Sequence, residues 1–375
     1  MPILDIAMPL ALLVVSTAAL FFSKRTEGKL KTAFQKRELR TIDVVMLVVM
    51  IVVAISIMAS VSIINPGQIF QNIILIVFLF SYSLLLFIFS YLFSEMKHRN
   101  AQLFSLGFVI AGLLAGTISL LEPFIDGLTL YRAFAFYGLA VFALTSIIVD
   151  VKKSGAQERW YIAVQPPTLF VLLFVFFNVV YEGTPVWYPI LLDTFALTFA
   201  VLIILYLGSL FTWKTTLIFA VLLTVVDIIL VLGTGAMVTA AQQFTGLGLP
   251  VLVHLPNVPL IAAQEGYLSF FGFAPRGLGV GDFFFAGILA VQTFKKYGKK
   301  AAYIVVIGMT ISFAIFEAFL PEILVLLKPL LQREIGGFPG TLMIIIGWLP
   351  IVVWKVLSYR RQNNQDREID LKNRK

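Results

Sequence analysis

Residues 215–234 read TTLIFAVLLTVVDIILVLGT, a run of 20 residues with one charged side chain, Asp227. At about 1.5 Å of rise per residue, such a run matches the roughly 30 Å hydrocarbon core of a bilayer. Lipid offers no partner to backbone N–H and C=O groups, so the run must close its hydrogen bonds within itself, as a helix. The rest of the chain is of the same kind. It has 375 residues, of which 60% are hydrophobic and only 13% charged, and its mean hydropathy is +0.97. So few charges cannot cover that much apolar surface in water.

Eleven runs of this type are expected to form helices: 2–22, 43–64, 69–93, 102–121, 129–149, 160–180, 189–211, 215–234, 276–294, 301–320 and 337–356. The fold class is therefore all-α, a polytopic transmembrane helix bundle of about eleven helices. The first run lacks a basic n-region and carries its charges on the far side, so it reads as a helix and not as a cleavable signal peptide. Run 160–180 contains Pro166-Pro167, and neighbouring helices must satisfy the carbonyls that a kink frees. The expected division is an N-terminal transmembrane scaffold over 1–214, a C-terminal transmembrane half over 215–356, and a polar, disordered tail over 357–375.

Basic residues give the runs a direction. With the N-terminus outside, segments 23–42, 94–101, 150–159, 212–214, 295–300 and 357–375 face the cytoplasm and, with Lys355 at the end of the last run, hold all but four of the 28 Lys and Arg. The remaining four are Arg132, Arg276, Lys328 and Arg333. This asymmetry is the positive-inside pattern, and it puts the C-terminus in the cytoplasm. It also accounts for the net charge of +8 without a nucleic-acid partner. The chain has no cysteine, and its two histidines, His98 and His254, lie far apart in polar connectors. Thiolate and histidine-metal chemistry are thereby disfavoured.

A carboxylate inside a membrane helix costs about 2.5–3.5 kcal/mol on insertion scales, so each one calls for an explanation. Asp5, Asp43 and Asp193 fall within about a turn of helix ends, where water is expected to reach them, and Glu317 precedes Pro321 near an outer end. Asp227 and Asp282 are different, because apolar residues flank both. Asp227 stands about seven residues from the outer end of its run, and Asp282 about six residues into the next. Both then lie about 10 Å below the outer boundary, on consecutive antiparallel helices.

Two carboxyls side by side in low dielectric cannot both ionise, and they share one proton. The ionised partner can take a proton from water while the protonated one donates to a peptide carbonyl. Such a pair hydrolyses a peptide bond with no covalent intermediate, metal or cofactor. Before the second acid, Gly277-Leu278-Gly279-Val280-Gly281 removes side-chain bulk, so a partner helix or an extended substrate can approach the backbone. No basic residue follows at P-loop spacing, which disfavours a phosphate cradle. Segment 235–275, rich in Gly and Pro, contains Pro250–Leu255, readable as a short strand or as an interfacial stretch.

Three motifs resemble the signal peptide peptidase and presenilin family of intramembrane aspartyl proteases, signal peptide peptidases most closely. Asp227 with Gly233-Thr234 and Met237-Val238-Thr239 is similar to the first catalytic helix of that family. Gly279-Val280-Gly281-Asp282 resembles its Gly-x-Gly-Asp signature. Pro339-Gly340-Thr341 sits where the family has Pro-Ala-Leu. Val226 stands in place of the family tyrosine, and Gly340 and Thr341 replace Ala and Leu. The family core has nine helices, with five before the first catalytic one, whereas seven precede Asp227 here.

The resemblance implies that Asp227 and Asp282 are the catalytic dyad. It also implies that Gly279, Gly281, Pro339, Gly340 and Thr341 border a transmembrane peptide or protein substrate, such as a signal-peptide remnant. Two other readings compete. A prepilin-peptidase-like enzyme would cut near the cytoplasmic face, against the outer-side depth of the acids. A transporter would use the same two aspartates as proton or cation ligands, but no inverted repeat accompanies them.

Overall fold

The computed structural model describes residues 4–33, 38–64, 68–94, 96–121, 127–152, 159–180, 187–255, 259–261, 277–331 and 337–373. Pro256, Pro275, Arg276 and Arg333 lie outside them. The chain groups into two compact units, residues 1–65 with 193–375, and residues 66–192. The expected scaffold over 1–214 thus contributes its first two helices and its last, residues 193–210, to the unit that holds both aspartates.

The fold is all-α and multi-pass. Among the described residues, ten helices are long and apolar enough to cross a membrane. In chain order, the first unit opens with a two-residue strand β1 (Leu4–Asp5), α1 (Ala7–Ala33) and α2 (Thr41–Ile64). The second unit holds α3 (Gln68–Phe93), α4 (His98–Leu120), α5 (Gly127–Lys152), α6 (Trp160–Ala163) and α7 (Gln165–Phe174). Pro166 and Pro167 occupy the first turn of α7, where a missing N–H breaks no intrahelical bond. A π-helical turn, Val175–Val179, continues that helix. The first unit resumes with α8 (Leu192–Leu210), α9 (Trp213–Ile228), α10 (Ala236–Gly246), α11 (Val280–Ala318), α12 (Leu320–Leu331) and α13 (Gly340–Asn373).

Expected runs 276–294 and 301–320 both lie in α11. The backbone breaks helical geometry at Gly298, with φ 83° and ψ 178°. Only glycine adopts that conformation without strain, so α11 has two arms. The tail is not irregular, as its polarity suggested: the backbone of α13 stays helical to Asn373. Low hydrophobicity argues against a packed core, but Arg, Gln, Glu and Lys are good helix formers and carry the helix on.

The core of the first unit forms around the first arm of α11, whose Phe283, Phe285, Ile288 and Leu289 are fully buried. α1 contributes Met8, Leu12, Val15 and Ala19, a stripe at helical spacing. Where α11 meets α13, Gly308 and Gly347 let two backbones touch. A Cβ on Gly347 would lie 2.4 Å from the Gly308 carbonyl oxygen and 2.7 Å from the Met309 Cα. Backbone atoms cannot swing aside, so Gly347→Ala is expected to destabilise the unit by about 1–3 kcal/mol. Thermal unfolding in detergent measures this, with Gly107→Ala as the control, because nothing stands within 4 Å of a Cβ there.

In the second unit, buried Asp150 organises a polar cluster. It faces His98 Nδ1 at 2.8 Å and Arg159 Nε at 2.8 Å, and accepts from the Tyr161 hydroxyl at 2.9 Å. Arg159 also donates to the carbonyls of Ser94 and Met96, which ties the connector before α4 to α5 and α6. Arg132, expected at an outer boundary, is buried; it donates to Ser119 Oγ at 2.9 Å and stacks over Phe177.

Candidate active site

Asp227 is the penultimate residue of α9. Past it the helix widens into a π segment, Ile229–Thr234, and stops at Gly235 with φ 73°. π segments inside helices recur at functional sites. Asp282 lies in the first turn of α11, not six residues into a helix. The expected start near 276 is displaced because Leu278–Gly279 is extended. It forms β4, antiparallel to β2 (Leu252–Val253), and the Val280 N–H donates to the Val251 carbonyl at 2.8 Å. Glycines resist helix, and this pairing gives their backbone another set of partners. Part of the Pro250–Leu255 stretch is therefore a strand, and its partner is the Gly-rich motif itself. A second short ladder pairs β1 with β3 (Pro259–Ile261).

Gly279 is the N-cap of α11, so Asp282 is its third helical residue. From there the carboxylate reaches back to the Gly279 backbone and takes a hydrogen bond. This is one half of a capping box. Asp227 is 7% exposed and is held from another helix. Thr341, in the first turn of α13, donates to Asp227 Oδ2 from Oγ1 at 2.6 Å and from its backbone N–H at 3.3 Å. The first N–H groups of a helix have no partner within it, and Asp227 takes one of those of α13.

Gly340 completes the arrangement. A Cβ there would fall 2.5 Å from Asp282 Oδ1 and 2.8 Å from Oδ2. Consecutive residues of one motif thus meet the two acids, Gly340 at Asp282 and Thr341 at Asp227. The two carboxyls therefore meet at one helix start. Pro339 is buried at the same helix start. Gly279 stands against Asp282 Oδ2, whereas Gly281 is exposed and a Cβ on it would meet nothing within 4 Å. The structure therefore brings Asp227, Asp282, Gly279, Pro339, Gly340 and Thr341 together and leaves Gly281 on an open face. The sequence placed Thr341 beside a substrate, and its direct hold on Asp227 went unforeseen.

Asp193 does not reach water, as its place near a helix end suggested. It is 7% exposed and accepts from the His254 backbone N–H at 2.7 Å. That bond anchors the strand segment that pairs with β4. The His254 ring is also buried, which pushes its pKa below the usual histidine range. It packs where a Cβ on Gly277 would come within 3.0 Å of Nε2, so Gly277 makes room for it. Among the described residues, no group of three or more His, Asp or Glu side chains is placed to hold a metal ion.

Comparison of the chain with family models, with curated proteins and with solved structures found no match.

Proposed function

We propose that the chain is an intramembrane aspartyl endopeptidase of the signal-peptide-peptidase type, with Asp227 and Asp282 as its dyad. The observation that carries this reading is the pair of carboxyls that Gly340 and Thr341 bring to one helix start within a membrane-crossing bundle. Water adds to the scissile carbonyl carbon. One carboxylate takes the water proton while the other acid gives its proton to the carbonyl oxygen. The resulting gem-diol collapses as the acid that took the water proton gives it to the amide nitrogen, the other carboxylate takes a proton from one hydroxyl, and the C–N bond breaks to leave an amine and a carboxylic acid. With Oδ2 of Asp227 accepting from Thr341, any proton on that acid sits at Oδ1, free to face the reacting centre.

A peptide bond within a helix has its carbonyl bonded and shielded, so the substrate must unwind before water can attack. β4 is paired with β2 on one edge, in a sheet of two strands among the described residues. An unwound substrate strand can add to its other edge by main-chain hydrogen bonds. Gly281 then offers the close approach. Gly281→Ala is a local probe of that role, because it touches nothing in the free protein. Incubation of the purified protein with a model transmembrane peptide, followed by mass analysis of the products, tests the reading. An intact peptide after prolonged incubation under conditions that keep the protein folded overturns it.

The charge asymmetry adds a direction. With the C-terminus cytoplasmic, α9 runs outward and the first arm of α11 inward. A chiral site binds an extended backbone in one N-to-C sense, so substrates with a cytoplasmic N-terminus are favoured, as signal peptides are. Two reporters with the same apolar segment inserted in opposite orientations are expected to differ about tenfold in rate, or about 1.4 kcal/mol in barrier. Faster cleavage of the reporter with its N-terminus outside contradicts this topology.

A further inference from the structure

A polar cavity of about 310 Å³ lies in the first unit, where α1, the α8–α9 connector and the end of the first arm of α11 meet. It is distinct from the dyad: Gln292 on its wall stands about 15 Å along α11 from Asp282, at about 1.5 Å per residue. Its size is at the lower end of small-ligand pockets.

The charges on its wall are not all spent on one another. Lys295 is used up on Glu27, at 3.0 Å, and on the Gly208 carbonyl, at 2.9 Å. Lys296 has its Nζ 4.7 Å over the Trp213 ring and 5.7 Å from the Tyr297 ring centre, and forms no ion pair among the described residues. Glu38 likewise forms none among them. Gln292 is 2% exposed and gives both amide hydrogens away, to the carbonyls of Gly208 and Phe211 at 2.9 Å each. This fixes its orientation, and its Oε1 makes no hydrogen bond to the described residues. The cavity therefore offers an ammonium for an anion, and a carboxylate and an amide oxygen for a hydrogen-bonding cation.

We propose that this cavity binds a phosphoethanolamine group, and that its source is the headgroup of a membrane lipid. The phosphate sits against Lys296 at the start of the sixteen-residue helix α9, where the Thr212–Thr215 capping box takes the Thr212 and Thr215 N–H groups and leaves that of Trp213. The ammonium donates to Gln292 Oε1 and pairs with Glu38. A choline group has no N–H to donate, and a glycerol headgroup has no cation. The level in the membrane fits a headgroup, because Trp213, Tyr297 and the lysines are the residue types of the lipid–water interface. This site stands whether or not the aspartates hydrolyse peptides.

Native mass spectrometry of the full-length protein in detergent tests it, with dihexanoyl phosphatidylethanolamine, phosphatidylcholine and phosphatidylglycerol as probes. The ethanolamine lipid is expected to bind about tenfold tighter than the other two, the worth of one hydrogen bond to a charged group. Lys296→Ala, an exposed change that spares the core, is expected to lower that affinity about tenfold, and Gln292→Met to erase the preference over choline. Equal retention of the three lipids, or an unchanged affinity in Lys296→Ala, overturns the site. Soluble phosphoethanolamine competing at the same concentration as the lipid overturns the lipid as its source.

Discussion

Asp227→Asn and Asp282→Asn are each expected to lower cleavage of a transmembrane peptide by about a thousandfold or more, with the protein still folded. General acid–base groups contribute about 10²–10⁴ each, and here each acid also sets the protonation of its neighbour. Asparagine keeps the shape and retains one acceptor oxygen. The Thr341 bonds to position 227 and the Gly279 bond to position 282 can therefore persist, and thermal unfolding is expected to shift little. The double variant is expected to be no slower than either single one, because residues that act as a unit are not additive. Product formation by mass spectrometry over hours gives the rates. Turnover within tenfold of the unmodified protein in either single variant removes that aspartate from the chemistry.

The spans were legible because a span is a matter of length and polarity, which the sequence carries directly. The Lys295–Lys300 run split two expected helices correctly, although the helical backbone continues on both sides of Gly298. Which face of each helix turns inward was far less legible. A helix that is apolar all round, such as 43–64, has no polar stripe to mark its outer side. That α1 and α2 belong with α11 and not with α3 to α7 was therefore hidden. So was the burial of Asp193, whose partner is a backbone N–H 61 residues away. The two aspartates were visible as misplaced charges, but what holds them was not. Thr341 is an ordinary residue until the start of α13 meets the end of α9. The strand at Leu252–Val253 was half legible, for its β-branched and apolar residues allowed a strand, while its partner, Leu278–Gly279, read as helix.

Gly340→Ala is expected to cut activity about a hundredfold and to lower stability by no more than about 1 kcal/mol. The added Cβ would stand 2.5 Å from Asp282 Oδ1 and 2.6 Å from Cγ, too close to persist. Either the carboxyl turns away from its Gly279 bond or the start of α13 retreats. Retreat is resisted, because Thr341 pins that helix start to Asp227 Oδ2 at 2.6 Å. A displacement of about 1 Å between reacting groups costs about 10² in rate. Backbone preference works the other way, since alanine is favoured over glycine in a helix by about 0.5–1 kcal/mol. Unfolding temperature and activity are thus expected to separate. The family that this motif resembles carries alanine at this position, followed by leucine and not threonine. Without the hydroxyl, the helix start is free to move back by a few tenths of an ångström and admit the methyl group. Thr341→Leu combined with Gly340→Ala is therefore expected to recover about tenfold over Gly340→Ala alone, although Thr341→Leu by itself removes a hydrogen bond to an acid. Kinetics on the two single variants and the pair close the cycle. A Gly340→Ala protein within threefold of the unmodified rate means that Asp282 can yield without cost. A pair no better than its worse member means that Thr341 is not what holds the helix against it.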